Sequence, residues 1–307
     1  MGPTSKVYRR VLWRQRLSRA STLSVVGLAS VLLTAGAAQT PEAKAATSQG
    51  VRTAAPDGRA LELTFRDEFD RAGPTPGTRW RTTFGDGLDR GIGQRTIESN
   101  RELQIYVDPE YGARVGAPDL RPFEVRDGVL HIVAKRAGAA QVSKLAGRNY
   151  YSGLISSLPT IAQRYGYFEV RAKLPRGKGL WPALWLLPQD QTWPPELDIM
   201  ESIGDPRRVY ATVHSKAVQP NSIPIDVPDD GFHTYAVSWD SANVVWYVDG
   251  REAARQPTAA DLHKPMYLIA NLAVGGQWPG APDASTSFPA ELQIDSVRIY
   301  RFANGGA

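Results

Sequence analysis

In Phe123-Glu124-Val125-Arg126-Asp127-Gly128-Val129-Leu130-His131-Ile132-Val133-Ala134, two runs rich in β-formers flank an Asp-Gly pair. Asp-Gly supplies the two positive φ angles of a tight two-residue turn, so the stretch reads as a β-hairpin. The device recurs where Asn243–Val248 meets Asp249-Gly250 and then Arg251-Glu252-Ala253. Further strands are predicted at Leu61–Phe65, Tyr165–Leu174, Val209–His214, His233–Trp239, Met266–Ala273 and Leu292–Arg301. No segment sustains a 3.6-residue apolar period over helix length. Many short strands between Gly, Pro and Asp turns imply an all-β chain folded as a two-sheet antiparallel β-sandwich, a jelly roll, with a closed barrel as the alternative.

Outward from this core, residues 59–303 keep one texture, with no second linker and no internal repeat, and are expected to form a single domain. Residues 46–58 read as a short polar linker. Residues 1–45 read as a signal peptide: Lys6, Arg9, Arg10, Arg14, Arg16 and Arg19 precede the apolar run Leu23–Leu33, and Ala43-Lys44-Ala45-Ala46 offers a small-x-small exit. The run is shorter than the roughly 20 apolar residues of a membrane span, so no anchor is expected after cleavage and the product is expected outside the cell. Arg9-Arg10-Val11-Leu12 resembles a twin-arginine export signal, and cleavage after Ala37 is an alternative to Ala45/Ala46.

The charge argument depends on that cleavage. Residues 1–46 carry seven of the 36 basic and one of the 31 acidic residues, leaving 29 and 30, a net charge of −1 in place of +5. A basic surface for nucleic acid is therefore not expected. The chain has no cysteine, which excludes disulfides and thiolate chemistry.

Chemistry concentrates in Glu196-Leu197-Asp198-Ile199-Met200-Glu201. On a strand Glu196 and Asp198 share a face, whereas Glu201, five positions on, points away unless a β-bulge at Ile199-Met200 restores the facing. Just upstream, Leu180-Trp181-Pro182-Ala183-Leu184-Trp185-Leu186-Leu187-Pro188 places Trp181 and Trp185 on one face. Flat indoles suit the apolar faces of pyranose rings, and close carboxylates suit a glycosidic bond, so the predicted partner is a polysaccharide.

At these residues the chain resembles glycoside hydrolase family 16, in its laminarinase-like branch. The resemblance rests on Tyr165–Lys173, Gly179–Pro188 and Trp193-Pro194-Pro195 leading into the E-x-D-x-x-E motif. Asn100-Arg101-Glu102-Leu103-Gln104, Val248-Asp249-Gly250 and Gly275-Gly276-Gln277-Trp278-Pro279-Gly280 follow in order. It implies a concanavalin-like jelly roll with a concave cleft and a retaining double displacement. Glu196 would be the nucleophile, Glu201 the acid/base, and Asp198 a hydrogen-bonding partner of the nucleophile. It also implies sugar contacts by Trp181, Trp185, Trp193, His214, Asn100, Tyr106 and Trp278. No cofactor is expected for catalysis, and one structural calcium is implied, with Asp295 as a ligand. The substrate expected is a β-1,3- or mixed β-1,3/1,4-glucan cut internally by a monomer. A succinoglycan-like exopolysaccharide, transglycosylation and a non-catalytic carbohydrate-binding sandwich are the alternatives, while a lyase lacks an evident base and basic pocket.

Overall fold

The structure, a computed structural model, describes residues 51–85, 91–158 and 160–303. The expected signal peptide lies outside the described residues. Two stacked sheets account for the domain. The six-stranded sheet runs Ile223–Asp226, Arg208–His214, Glu196–Glu201, Leu180–Pro188, Met266–Val274 and Leu154–Ser156. The ten-stranded sheet centres on Gly166–Lys173 and the long Ala290–Phe302, and ends on one side with Arg251–Pro257. Pairing is antiparallel except where Gln104–Tyr106 runs parallel to Tyr150–Ser152.

Both predicted hairpins form. Asp127 and Gly128 have φ of 53° and 70°, Asp249 and Gly250 of 51° and 75°, and Arg126 pairs with Val129 directly across the first turn. Alternation then sets the interior. Leu184, Leu186, Leu197, Met200, Val213, Leu268 and Leu272 from the smaller sheet meet Phe168, Val170, Trp239, Trp246, Leu292 and Ile299 from the larger. Trp239 and Trp246 are buried between the sheets, as expected of core residues. Each such side chain contributes about 1.5–3 kcal/mol by leaving water.

The domain begins earlier than the sequence suggests. Residues 52–58, expected as the end of a linker, dock on the larger sheet. Arg52 Nε donates to Glu169 Oε2 at 2.7 Å, Leu61 N donates to Thr53 O at 2.8 Å, and Ala55 packs with Tyr167 and Phe302. Composition missed this because the segment is held by the ion pairs of Arg52 and Asp57 and by hydrogen bonds instead of an apolar stripe. Among the described residues no helix is long and apolar enough to cross a membrane.

Candidate active site

The bulge on which the site depends is present. Across one edge of the acidic strand, Trp185 faces Asp198 and Ala183 faces Glu201, so three steps on one strand match two on its neighbour. The other edge repeats the offset, with Thr212 opposite Asp198 and Tyr210 opposite Glu201. The extra residue lets Leu197, Ile199 and Met200 all enter the core while Glu196, Asp198 and Glu201 keep a common face. A bulge also leaves a carbonyl without its ladder partner. Trp246 supplies it: its Nε1 crosses from the opposite sheet and donates to Asp198 O at 2.7 Å.

Each outer acid is held by an indole. Trp193 Nε1 donates to Glu196 Oε2 at 2.9 Å, and Trp181 Nε1 donates to Glu201 Oε1 at 2.9 Å. His214, directly across from Glu196 on the next strand, places Nε2 3.2 Å from Asp198 Oδ2 and 3.4 Å from Glu196 Oε1. Asp198 is 2 % exposed, so its charge acts on its neighbours through little water.

These neighbours set the protonation order. Burial and the Asp198 charge push Glu196 up to about 7, against the opposing pull of His214 and the Trp193 N–H. The 17 % of its side chain still open to the cleft moderates that rise. Burial, then Asp198, drive Glu201 well above the ordinary carboxylate range. Burial alone would lower His214, but the charge of Glu196 and the hydrogen bond and charge of Asp198 outweigh it and raise the imidazole to about 10. Near neutral pH the cluster thus holds an imidazolium beside Asp198 and Glu196, Glu196 passes to its anion as pH rises through about 7, and burial and the Asp198 charge favour keeping the proton on Glu201. That is one carboxyl able to give a proton and one able to attack.

The other predicted site residues divide. Trp278 stands edge-on to Trp181 at 5.7 Å between ring centroids and 4.9 Å from Tyr210, extending the aromatic wall past Glu201. Asn100 is half-buried in the loop beside it. Trp185 and Tyr106, expected to contact sugar, are instead 6 % and 0 % exposed and packed against Phe84. Asn271 ties them together, accepting from Trp185 Nε1 at 2.7 Å and donating to the Tyr106 hydroxyl at 2.9 Å. Phe84 and residues 95–106 pack over this half of the sheet, which strand alternation could not foresee.

Asp295 lies on the other sheet, its Oδ2 3.5 Å from Arg171 Nη1. A lone carboxylate facing a guanidinium does not by itself make a calcium ligand set. Among the described residues, the His/Asp/Glu group compact enough to hold an ion is Glu196, Asp198 and His214, within 4.8 Å of one another. There Trp193 Nε1 already donates to Glu196 Oε2. Sequence reasoning missed Tyr210, which shares the 210–212–214 alternation with His214, and missed Asn271 and Trp246, whose roles arise only across strands and sheets.

A sandwich whose one sheet carries paired carboxylates bracketed by indoles is the architecture of a glycosidase cleft. Residues 123–296 match the family model of glycosyl hydrolases family 16. The endo-1,3-1,4-beta-glycanase EglC of Rhizobium meliloti is 41 % identical over 251 residues, 80 % of this chain and 52 % of its own length. A beta-glucanase of Rhodothermus marinus is 35 % identical, covering 78 % of this chain and 85 % of its own. The X-ray structure of the laminarinase from Rhodothermus marinus superposes with a TM-score of 0.66 at 34 % identity, covering 80 % of this chain and 99 % of that one. The chain belongs to glycosyl hydrolase family 16. It spans about half the length of EglC.

Proposed function

We propose that this protein is a secreted retaining endo-glycosidase acting on β-1,3- or mixed β-1,3/1,4-glucan. The observation that carries the reading is the bulged strand whose outer acids each accept an indole N–H, Glu196 from Trp193 and Glu201 from Trp181, beside the His214–Asp198 pair. In the first step a Glu196 oxygen forms a bond to the anomeric carbon as the bond to the leaving sugar breaks, and the Glu201 proton passes to the departing oxygen. In the second, water attacks the same carbon, gives its proton to Glu201 and releases Glu196. His214 and Trp193 favour the Glu196 anion, against burial and the Asp198 charge, before attack and after release, and Glu196 and Asp198 together favour the charged His214. The 1,3 and 1,3-1,4 linkages come from the names of the relatives, and internal cutting from the aromatic surfaces of Trp193 on the nucleophile side and Trp278 on the acid side.

Reducing-end release from laminarin, lichenan, succinoglycan and agarose, by the wild type and by Glu196→Gln, tests the reading. Activity on laminarin or lichenan that Glu196→Gln abolishes supports it. Activity confined to succinoglycan would favour the exopolysaccharide alternative, and binding without release would favour a carbohydrate-binding sandwich. A structural calcium at Asp295 would have to displace Arg171 and draw its other ligands from backbone carbonyls; a melting temperature that falls on adding EDTA would support it, and an unchanged one would not.

A further inference from the structure

Glu102, one of the buried carboxylates outside the catalytic trio, has no part in this chemistry. Glu102 is 2 % exposed and sits below the loop that carries Asn100. Its Oε2 accepts from Ile97 N at 3.2 Å and from Gln104 Nε2 at 2.7 Å, and its Oε1 accepts from Asn100 Nδ2 at 3.2 Å. Two of these donors are fixed. Ile97 offers a backbone N–H, and Gln104 cannot turn over because its Oε1 accepts from Val274 N at 2.7 Å. Asn100 alone has a choice, and an ionised carboxylate removes it: an acceptor-only group forces the asparagine to present its NH2 inward and its carbonyl outward.

The same loop is bound to the cleft wall. Asn100 O accepts from Gln277 N at 2.8 Å, Ser99 O accepts from Gln277 Nε2 at 2.7 Å, and Leu103 N donates to Val274 O at 2.7 Å. Between them Gly276 lies so close that a Cβ would stand 3.0 Å from the Trp181 ring and 3.3 Å from Asn100 O. The Asn100 backbone thus lies beside Gly276, which abuts Trp181, the indole that holds Glu201, and the half-buried Asn100 side chain keeps its NH2 on Glu102 and its carbonyl off it.

We propose that Glu102 is a positioning residue that fixes the Asn100 amide with its carbonyl toward the cleft, making this point of the wall an acceptor for a sugar hydroxyl. Burial raises the Glu102 carboxyl above its ordinary value, while Gln104, Ile97, Asn100 and the charge of Arg148 favour the anion. The proposal rests on the glycan-cleft reading above for its ligand, though not for its geometry.

Glu102→Gln gives a test that a purely structural role would not pass. With Ile97 and Gln104 both donating to one position, the introduced amide must put its carbonyl there and its NH2 toward Asn100, which must then turn over. In the hydrolysis-dead Glu196→Gln background, tryptophan fluorescence with a β-1,3-gluco-hexasaccharide should show binding weakened about tenfold by Glu102→Gln, or about 1.4 kcal/mol. Adding Asn100→Asp should restore it to within about twofold, because a carboxylate accepts from the introduced amide and again presents an acceptor outward. Asn100→Asp with Glu102 intact sets two carboxylates face to face and should weaken binding. Hydrogen exchange of the Asn100 side-chain NH2 supplies a readout that needs neither the ligand nor a variant: slow exchange in the unmodified protein is expected, and exchange as fast as in a solvated amide overturns the proposal. Unchanged binding in Glu102→Gln, or additive losses in the double variant, would also overturn it. If the parent binds no β-glucan oligosaccharide, it is the substrate reading that fails, and amide exchange alone decides the role of Glu102.

Discussion

Trp193→Phe isolates one hydrogen bond at the reacting carboxylate. Phenylalanine keeps an aromatic ring beside the acidic strand but removes the N–H that Glu196 Oε2 accepts at 2.9 Å. A hydrogen bond to a charged group contributes about 1.5–3 kcal/mol, and the 17 % of Glu196 open to the cleft lets water replace part of it, so the lower end applies. About 1.4 kcal/mol is one pKa unit. The sign follows from the role: the N–H favours the anion, so its loss raises a carboxyl that burial has already pushed up to about 7. In the proposed role Glu196 attacks as the anion, so the acid limb of kcat/KM should move up by about one pH unit. Activity should fall about tenfold below that limb and change little above it. The assay is kcat/KM on laminarin from pH 4 to 9 for both proteins. An acid limb that stays in place while activity drops equally at every pH would refute the argument, leaving Trp193 as packing or as a sugar contact only.

Gly276→Ala should lower kcat roughly 10- to 100-fold in a folded protein, because the added methyl meets the Trp181 ring 3.0 Å away and moves the indole that holds Glu201; wild-type kcat would show that Trp181 need not be held there. The site also makes stability pH-dependent. Glu196, raised from 4.5 to about 7, contributes stability that is complete below its unfolded value and is lost as pH rises through about 7. His214, raised from 6.5 to about 10, contributes stability that is complete below about 6.5 and is lost as pH rises through about 10. Guanidinium denaturation at fixed ionic strength should therefore show stability falling between pH 6.5 and 10 more steeply in the wild type than in His214→Ala, and parallel curves would contradict the His214–Asp198 pairing.

Much of this was legible in the chain because the informative signals are local. Asp-Gly turns depend on two residues and a backbone preference, so both hairpins were readable at 127–128 and 249–250. The facing of Glu196, Asp198 and Glu201 required one bulge, and its place at Ile199-Met200 followed from counting positions along a strand. What could not be read involves partners distant in sequence. Trp246 looks like a core residue by every local measure, and its bond to Asp198 O exists only because two sheets stack in this register. Trp185 and Tyr106 are residue types that suit sugar contacts, but Phe84 packs against both, and loop paths leave no periodicity to read. Residues 52–58 escape a reading by composition for a related reason: their attachment is scattered over Arg52, Ala55, Asp57 and a few backbone hydrogen bonds.

The central claim is that Glu196 attacks the anomeric carbon and Glu201 assists, and the stereochemistry of the first product tests it most directly. Proton NMR during the first minutes of laminarin or lichenan digestion, before mutarotation, resolves the anomer released. Two successive displacements at one carbon retain configuration, so β-anomeric oligosaccharides of several lengths should appear first. Initial release of α anomers would contradict the covalent role of Glu196 and require a single displacement by water.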